Sequence, residues 1–198
     1  MDVTVVDLGV GNTASVMFAL ERLGAKAQLT RDGAAIAEAS RLVLPGVGAA
    51  AFAMEQIGQA NLAGILCRFA RPLLGICLGQ QLLYQSSEEG DAGGLARISG
   101  RVRRLEAAPD RPVPHMGWNR LRRKRDDPLL EGVDDGAFVY FVHGYACPIG
   151  NATLASADYG GAFSAVVRAG NVWGCQFHPE RSSTAGRRIL ENFLMLPC

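Results

Sequence analysis

The chain has 198 residues, 48% of them apolar, and a formal net charge of +1, so it can build a sizeable core and carries no overall bias toward nucleic acid or anionic membrane. Its five scattered cysteines contain no CxxC pair, which argues against a disulfide framework and a zinc site and fits a reducing cytoplasm. The start lacks the basic, then long apolar, pattern of a signal peptide, and no run is long enough to cross a bilayer.

The first ninety residues alternate strand and helix signals. Val3 to Val6 reads as a strand, followed by a Gly9-Val10-Gly11-Asn12 turn. Asn12 or Thr13 can cap a helix with Val16, Leu20 and Leu23 on one face, and Gly24 ends it. Ala27 to Thr30 and Arg41 to Leu44 read as strands. Helices follow from about Ala50 to Ile57 and through Leu62, Ile65, Leu66 and Phe69. Leu73 to Ile76 is a fourth strand, and Gly79 opens the next helix. Such alternation means parallel pairing in a doubly wound α/β sheet. After Gly90 strands dominate: Arg101 to Leu105, Phe138 to Val142, Ala165 to Arg168 and Val172 to Phe177. Ala169-Gly170-Asn171 looks like a hairpin turn. A last helix runs from about Thr184 to Leu194. No repeat or linker interrupts the chain, which is expected to form one domain over 1–198. Two basic clusters, Arg101 with Arg103 and Arg104, then Arg120 to Arg125, read as solvated surface balanced by Glu131, Asp134 and Asp135.

Two segments carry chemistry. Cys77 sits where an apolar strand gives way to a helix, with Gly75 and Gly79 two residues to either side. Small flanking residues allow a sharp strand–turn–helix elbow, which exposes a nucleophile at the carboxyl end of a sheet strand. The helix N-terminus favours the thiolate, and the Leu78 N–H faces a developing oxyanion. The second segment is Gln176-Phe177-His178-Pro179-Glu180, at the end of another apolar strand. An extended His-Pro-Glu run lets Glu180 accept a hydrogen bond from the His178 ring and stabilise an imidazolium. Cys67 and Cys175 read as core residues, and Cys147 and Cys198 suggest no role.

Taken together, Gly75 to Gln81 and Gln176 to Glu180 resemble the triad glutaminases, the class I glutamine amidotransferases, whose fold is a flavodoxin-like, mainly parallel sheet with an added antiparallel region. The resemblance extends to the glutaminase subunits of imidazole glycerol phosphate synthase through Asp7 to Asn12, Leu44 to Gly48, Val113 to Asn119, Tyr140 to His143 and His178 to Ser183. It implies Cys77, His178 and Glu180 as catalytic triad, forming a glutamyl thioester and releasing ammonia, with no cofactor or metal. It further implies Val47 and Leu78 as oxyanion donors and Gly46, Gly48, Gln81, Gly144 and Tyr145 at the glutamine pocket. The implied partner is a (β/α)8-barrel cyclase of histidine biosynthesis, met near Asn12, Trp118, Tyr140 and Arg181. His115 is expected at that partner surface, and His143 as a satisfied histidine near the pocket. The chain departs from the family pattern at Leu8 and Val10 (usually Tyr and Met), Arg181 (usually Lys), Gly144 (usually Ser or Thr) and Gln80 (commonly Met). A paralogous glutaminase feeding another acceptor would share the triad. Gly9 to Ala14, with Asp32 about twenty residues on, also fits a dinucleotide fingerprint, so an NAD-dependent oxidoreductase is a reading of another class.

Overall fold

The computed structural model describes residues 1–9, 13–46 and 48–198. In chain order the elements are β1 (Asp2–Val6), α1 (Thr13–Arg22), β2 (Lys26–Thr30), α2 (Gly33–Glu38), β3 (Leu42–Gly46), α3 (Ala50–Gln59), α4 (Ala63–Arg68), β4 (Leu73–Cys77) and α5 (Leu78–Leu82). The second half adds β5 (Tyr84–Ser87), β6 (Ile98–Arg104), β7 (His115–Arg120), β8 (Arg122–Arg123), β9 (Phe138–His143), β10 (Tyr145–Ala146), β11 (Thr153–Asp158), β12 (Ala162–Ala169), β13 (Val172–Cys175) and α6 (Ser183–Met195).

Among the described residues the main sheet has eight strands in the order β2-β1-β3-β4-β13-β12-β11-β8. From β2 to β13 neighbours run parallel, and beyond β13 they run antiparallel. This is the expected α/β architecture. Strand β13 is the seam, parallel to β4 on one side and hairpin-paired with β12 on the other. Ala169 pairs with Val172 across a two-residue turn in which Gly170 takes φ 59°, a left-handed value suited to glycine. Two smaller sheets, β10-β6-β5 and β7-β9, accompany the main sheet.

Both faces of the main sheet are covered, which is why β3 and β4 read as unbroken buried runs. On one face Val3, Val5, Val43, Leu74 and Ile76 pack with Leu20 of α1 and Ile189 and Phe193 of α6. On the other, Val6, Leu42, Leu44 and Leu73 meet Ile36, Ile57 and Leu66 from α2, α3 and α4. The split follows the period-two alternation of a strand. Burying each of these larger aliphatic side chains stabilises the fold by about 1.5–3 kcal/mol.

Several elements differ from the sequence expectation. Residues 33–38 form a helix not anticipated, capped by Asp32, whose Oδ1 accepts from the Ala35 N–H at 2.8 Å. That bond gives Asp32 a structural task in place of the ribose contact that a dinucleotide site would require. The Gly9 to Ala14 turn lies partly outside the described residues. Cys67, expected in the core, is exposed on α4, whereas Cys175 is fully buried.

Helix α5 lies so close to the sheet that a side chain at residue 79 would drive its Cβ into the Leu44 carbonyl. At Gly75 a Cβ would come within 2.7 Å of the Gln80 nitrogen. At Gly144, by contrast, it would meet only Val113 Cγ1, at 3.7 Å. Gly79→Ala is therefore expected to destabilise the protein by more than about 3 kcal/mol in urea unfolding, and Gly144→Ala by less than about 1 kcal/mol.

Candidate active site

The turn from β4 into α5 forces residue 77 into an uncommon conformation, φ 53° and ψ −109°. For a side chain with a Cβ this is strained backbone, and strain of this kind persists only where surrounding packing dictates it. Here the packing is the close seating of Gly75 and Gly79. Cys77 is 5% exposed and lines a cavity of about 230 Å³. In the sheet it stands opposite Gly46 of β3. Helix α5 has only five residues, so the dipole available under the sulfur is small.

His178 follows β13, the strand next to β4, and lines the same cavity. Its Nδ1 lies 2.9 Å from Glu180 Oε1. Both side chains are largely buried, at 12% and 4% exposure, so their attraction is little screened by solvent. The segment is clipped in place by Ser182, whose hydroxyl donates to the His178 carbonyl at 2.7 Å and accepts from the Tyr140 N–H at 2.9 Å. The His178 N–H also donates to the Tyr140 carbonyl, at 3.0 Å. Burial alone would lower the imidazole pKa. Hydrogen bonds to Cys77 and Glu180, with their negative charge, outweigh it and raise the value to about 10. The structure thus brings together the three residues expected to form a triad.

Around them the cavity is lined by Gly48, Leu78, Gln81, Glu89, Val142, Gly144 and Tyr145, among others. Gly46 is not part of that lining; it lies behind, where a Cβ would press on Leu78 Cβ at 3.0 Å. Val47 and Asn12 fall outside the described residues. Gln80 is not part of the cavity lining; its amide donates to the Ser164 carbonyl at 3.0 Å.

The residues expected at a partner surface divide. Trp118 is half exposed and packs edge-on against Tyr140, with ring centroids 5.8 Å apart. Arg181 is exposed on the turn after His178. Met116 and Phe138 extend the outward face of the β7–β9 ribbon. His115 departs from the expectation: its side chain is buried at 3% exposure, stacked between Phe141 and Tyr159. The alternation of β7 turns it inward while Trp118 faces out.

His115 Nδ1 sits 3.0 Å from His143 Nε2, and His143 Nδ1 sits 2.8 Å from the Tyr145 carbonyl. A carbonyl only accepts, so His143 carries its proton on Nδ1 and Nε2 accepts from His115. Desolvation holds both rings neutral, pushing His115 to about 4 and His143 to about 3.

Sequence reasoning missed three contributors. Glu89 lines the cavity, and its Oε2 accepts from the Ala50 N–H at 2.8 Å. Gln176 is fully buried, with its amide nitrogen 3.8 Å from the Cys77 sulfur. Ser182 is the third. Of these only Gln176 left a sequence signal, as a polar residue interrupting an apolar strand two positions before His178. Among the described residues no cluster of three or more His, Cys, Asp or Glu could hold a metal.

The family model for class-I glutamine amidotransferases matches residues 4–196. The chain belongs to this family. Among amidotransferase relatives, it is 51% identical over 98% of its length to the imidazole glycerol phosphate synthase subunit HisH of Xylella fastidiosa, covering 96% of that protein. Identity to the HisH subunit of Xanthomonas axonopodis pv. citri is 50%, over the same shares. Among solved structures, a glutamine amidotransferase superposes with TM-score 0.75 at 22% identity, covering 97% of this chain and 96% of that one. PurLQS from Thermotoga maritima gives 0.73 at 21%, covering 98% and 97%. At those identities the two structures speak for the fold. Membership of the amidotransferase family leaves the oxidoreductase reading without support.

The two neutral histidines set a pH dependence. Their folded values lie below the usual 6.5, so below that pH the unfolded chain takes up protons that the fold refuses. Stability is fully present above about 6.5 and is lost as pH falls toward about 4 and 3. Each group contributes up to about 1.4 kcal/mol per pH unit in that window. His115→Phe, which keeps the ring stack, is expected to give a shallower slope in urea unfolding between pH 6.5 and 4.

Proposed function

We propose that the chain is the glutaminase subunit of an imidazole glycerol phosphate synthase, releasing ammonia from L-glutamine for a (β/α)8-barrel cyclase in histidine biosynthesis. The observation that carries this reading is the line of Cys77, His178 and Glu180 at the carboxyl ends of β4 and β13. It occurs in a chain half identical to imidazole glycerol phosphate synthase subunits over nearly its full length.

The chemistry is acyl transfer. Cys77 thiolate adds to the side-chain amide carbon of glutamine, and the amide oxygen becomes an oxyanion facing the Leu78 N–H. His178, raised toward the imidazolium and oriented by Glu180, gives its proton to the departing nitrogen, which leaves as ammonia. The remaining glutamyl thioester is attacked by water, His178 takes the water proton, and glutamate leaves with the thiolate restored. A cavity of about 230 Å³ suits one free amino acid and no dinucleotide. Glu89 is the carboxylate among its described lining residues and is the natural acceptor for the substrate's α-ammonium. Gln81, Gly48, Gly144 and Tyr145 complete the pocket, and Val47 would add a second oxyanion donor.

The cyclase would dock on the exposed apolar ribbon of Met116, Trp118 and Phe138, with Arg181 beside it. Exposed aromatic and Met side chains grouped on one face are typical of protein interfaces. Val142 belongs to the same ribbon and also lines the cavity, so the docking face and the site are continuous. A cytoplasmic location fits five free cysteines and the absence, among described residues, of any helix long and apolar enough to cross a membrane.

Reconstitution with a barrel cyclase tests the reading. Cys77→Ala is expected to abolish glutamine-dependent product formation while sparing the rate driven by ammonium salts. Loss of both together would overturn the division of labour.

A further inference from the structure

We propose that Gln176 is a further catalytic residue, whose side-chain amide donates a hydrogen bond to the Cys77 thiolate and holds the sulfur for attack. The proposal rests on the reading of Cys77 as nucleophile and adds a contact that the triad does not contain.

The orientation of the Gln176 amide follows from its neighbours. The Tyr145 carbonyl can only accept, so the Gln81 atom 2.9 Å from it must be the amide nitrogen. That same nitrogen lies 3.1 Å from Gln176, so the Gln176 atom facing it must be the oxygen. The other end of the Gln176 amide is then the NH2 group, and it faces the Cys77 sulfur at 3.8 Å. Reversing the amide would set nitrogen against nitrogen inside a residue that is fully buried, where such a mismatch costs most.

The sulfur changes its preference with its charge. As a thiol, Cys77 donates to the Val142 carbonyl at 3.7 Å. Once the proton leaves, that carbonyl offers only lone pairs to an anion, whereas the Gln176 N–H and the His178 ring both favour it. Hydrogen bonds to a charged acceptor are about twice as strong as neutral ones, so Gln176 stabilises thiolate over thiol. The other titratable groups near the sulfur are Glu180 behind His178, Glu89 and His143 across the cavity, and the buried Cys147 and Cys175. Burial holds His143 neutral down to about 3, raises Cys147 to about 12 and lifts Cys175 well above its usual range. None of these three takes up charge near neutral pH, which leaves His178, raised to about 10, as the ring whose charge meets the sulfur.

The test is the pH profile of Cys77 alkylation by iodoacetamide in the full-length chain, followed on the Cys77 peptide by mass spectrometry. The exposed Cys67 and Cys198 serve as internal standards. Gln176→Met is expected to shift the Cys77 profile upward by about one pH unit and to slow alkylation about tenfold below the midpoint. The profiles of Cys67 and Cys198 should not move. An unchanged Cys77 profile in a folded variant overturns the proposal. Glutamine added to the wild-type chain should protect Cys77 from alkylation. Protection combined with an unchanged Gln176→Met profile would sink this proposal alone, and no protection would sink the nucleophile reading with it. Should Gln176→Met not fold, side-chain amide NMR of the wild-type chain decides. The Gln176 NH2 signals are expected to shift with the Cys77 titration and to stay fixed in Cys77→Ala. Signals that ignore the titration would overturn the assignment.

Discussion

The whole site depends on how closely one short helix can lie against a sheet. With no side chain at residue 79, the backbone of α5 rests on the Leu44 carbonyl, and with none at residue 75 the strand beneath can accept it. That seating leaves the chain no ordinary conformation at residue 77, which turns to φ 53° and carries its sulfur to the rim of a cavity. The strain is held by burial on both sides of β4, so the stability of the core and the placement of Cys77 at the cavity are two results of one packing arrangement.

A second constraint is a single carbonyl. Tyr145 accepts from both His143 and Gln81, and since it cannot donate, it sets the direction of every hydrogen bond that follows. On one side the direction runs back through His143 and His115 to Asn119, whose amide nitrogen is shared between His115, at 3.4 Å, and the Asp158 carbonyl. On the other it runs through Gln81 and Gln176 to the sulfur. Buried polar groups linked in this way rigidify a site only if each is satisfied, and along this path each has a partner. Glu180 Oε2 is different: it is buried without a hydrogen-bond partner among the described residues, so the carboxylate holds His178 through one oxygen only.

The central fold was legible because its signals are local and repeated. Apolar runs such as Leu73 to Ile76 and the face of Val16 and Leu20 mark elements wherever they occur, and the Gly-x-Cys-x-Gly spacing marks the elbow. The second half was harder to read. Strand β11, Thr-Leu-Ala-Ser-Ala-Asp, has few residues with strand preference and exists because β12 and β8 flank it. The two-residue strands β8 and β10 have no sequence pattern at all. His115 shows the same limit for single residues: its neighbours Met116 and Trp118 face solvent, and only the pairing of β7 with β9 turns the ring inward. Glu89 lies near the pocket through the path of a loop, which periodicity cannot follow.

Strand β13 has a consequence for how the molecule is made. As the chain leaves the ribosome, β1 to β4 are all present before residue 80, yet β4 at that stage is an open edge lined with apolar side chains. Its permanent neighbour is Val172–Cys175, far along the chain, and the stretch between includes the long-range pairings that fold slowly. The nascent protein therefore carries an unpaired, sticky border until β13 has been made, the sort of surface that chaperones guard. Because His178 follows that same late strand, a chain stopped before it holds Cys77 without the imidazole that shares its cavity.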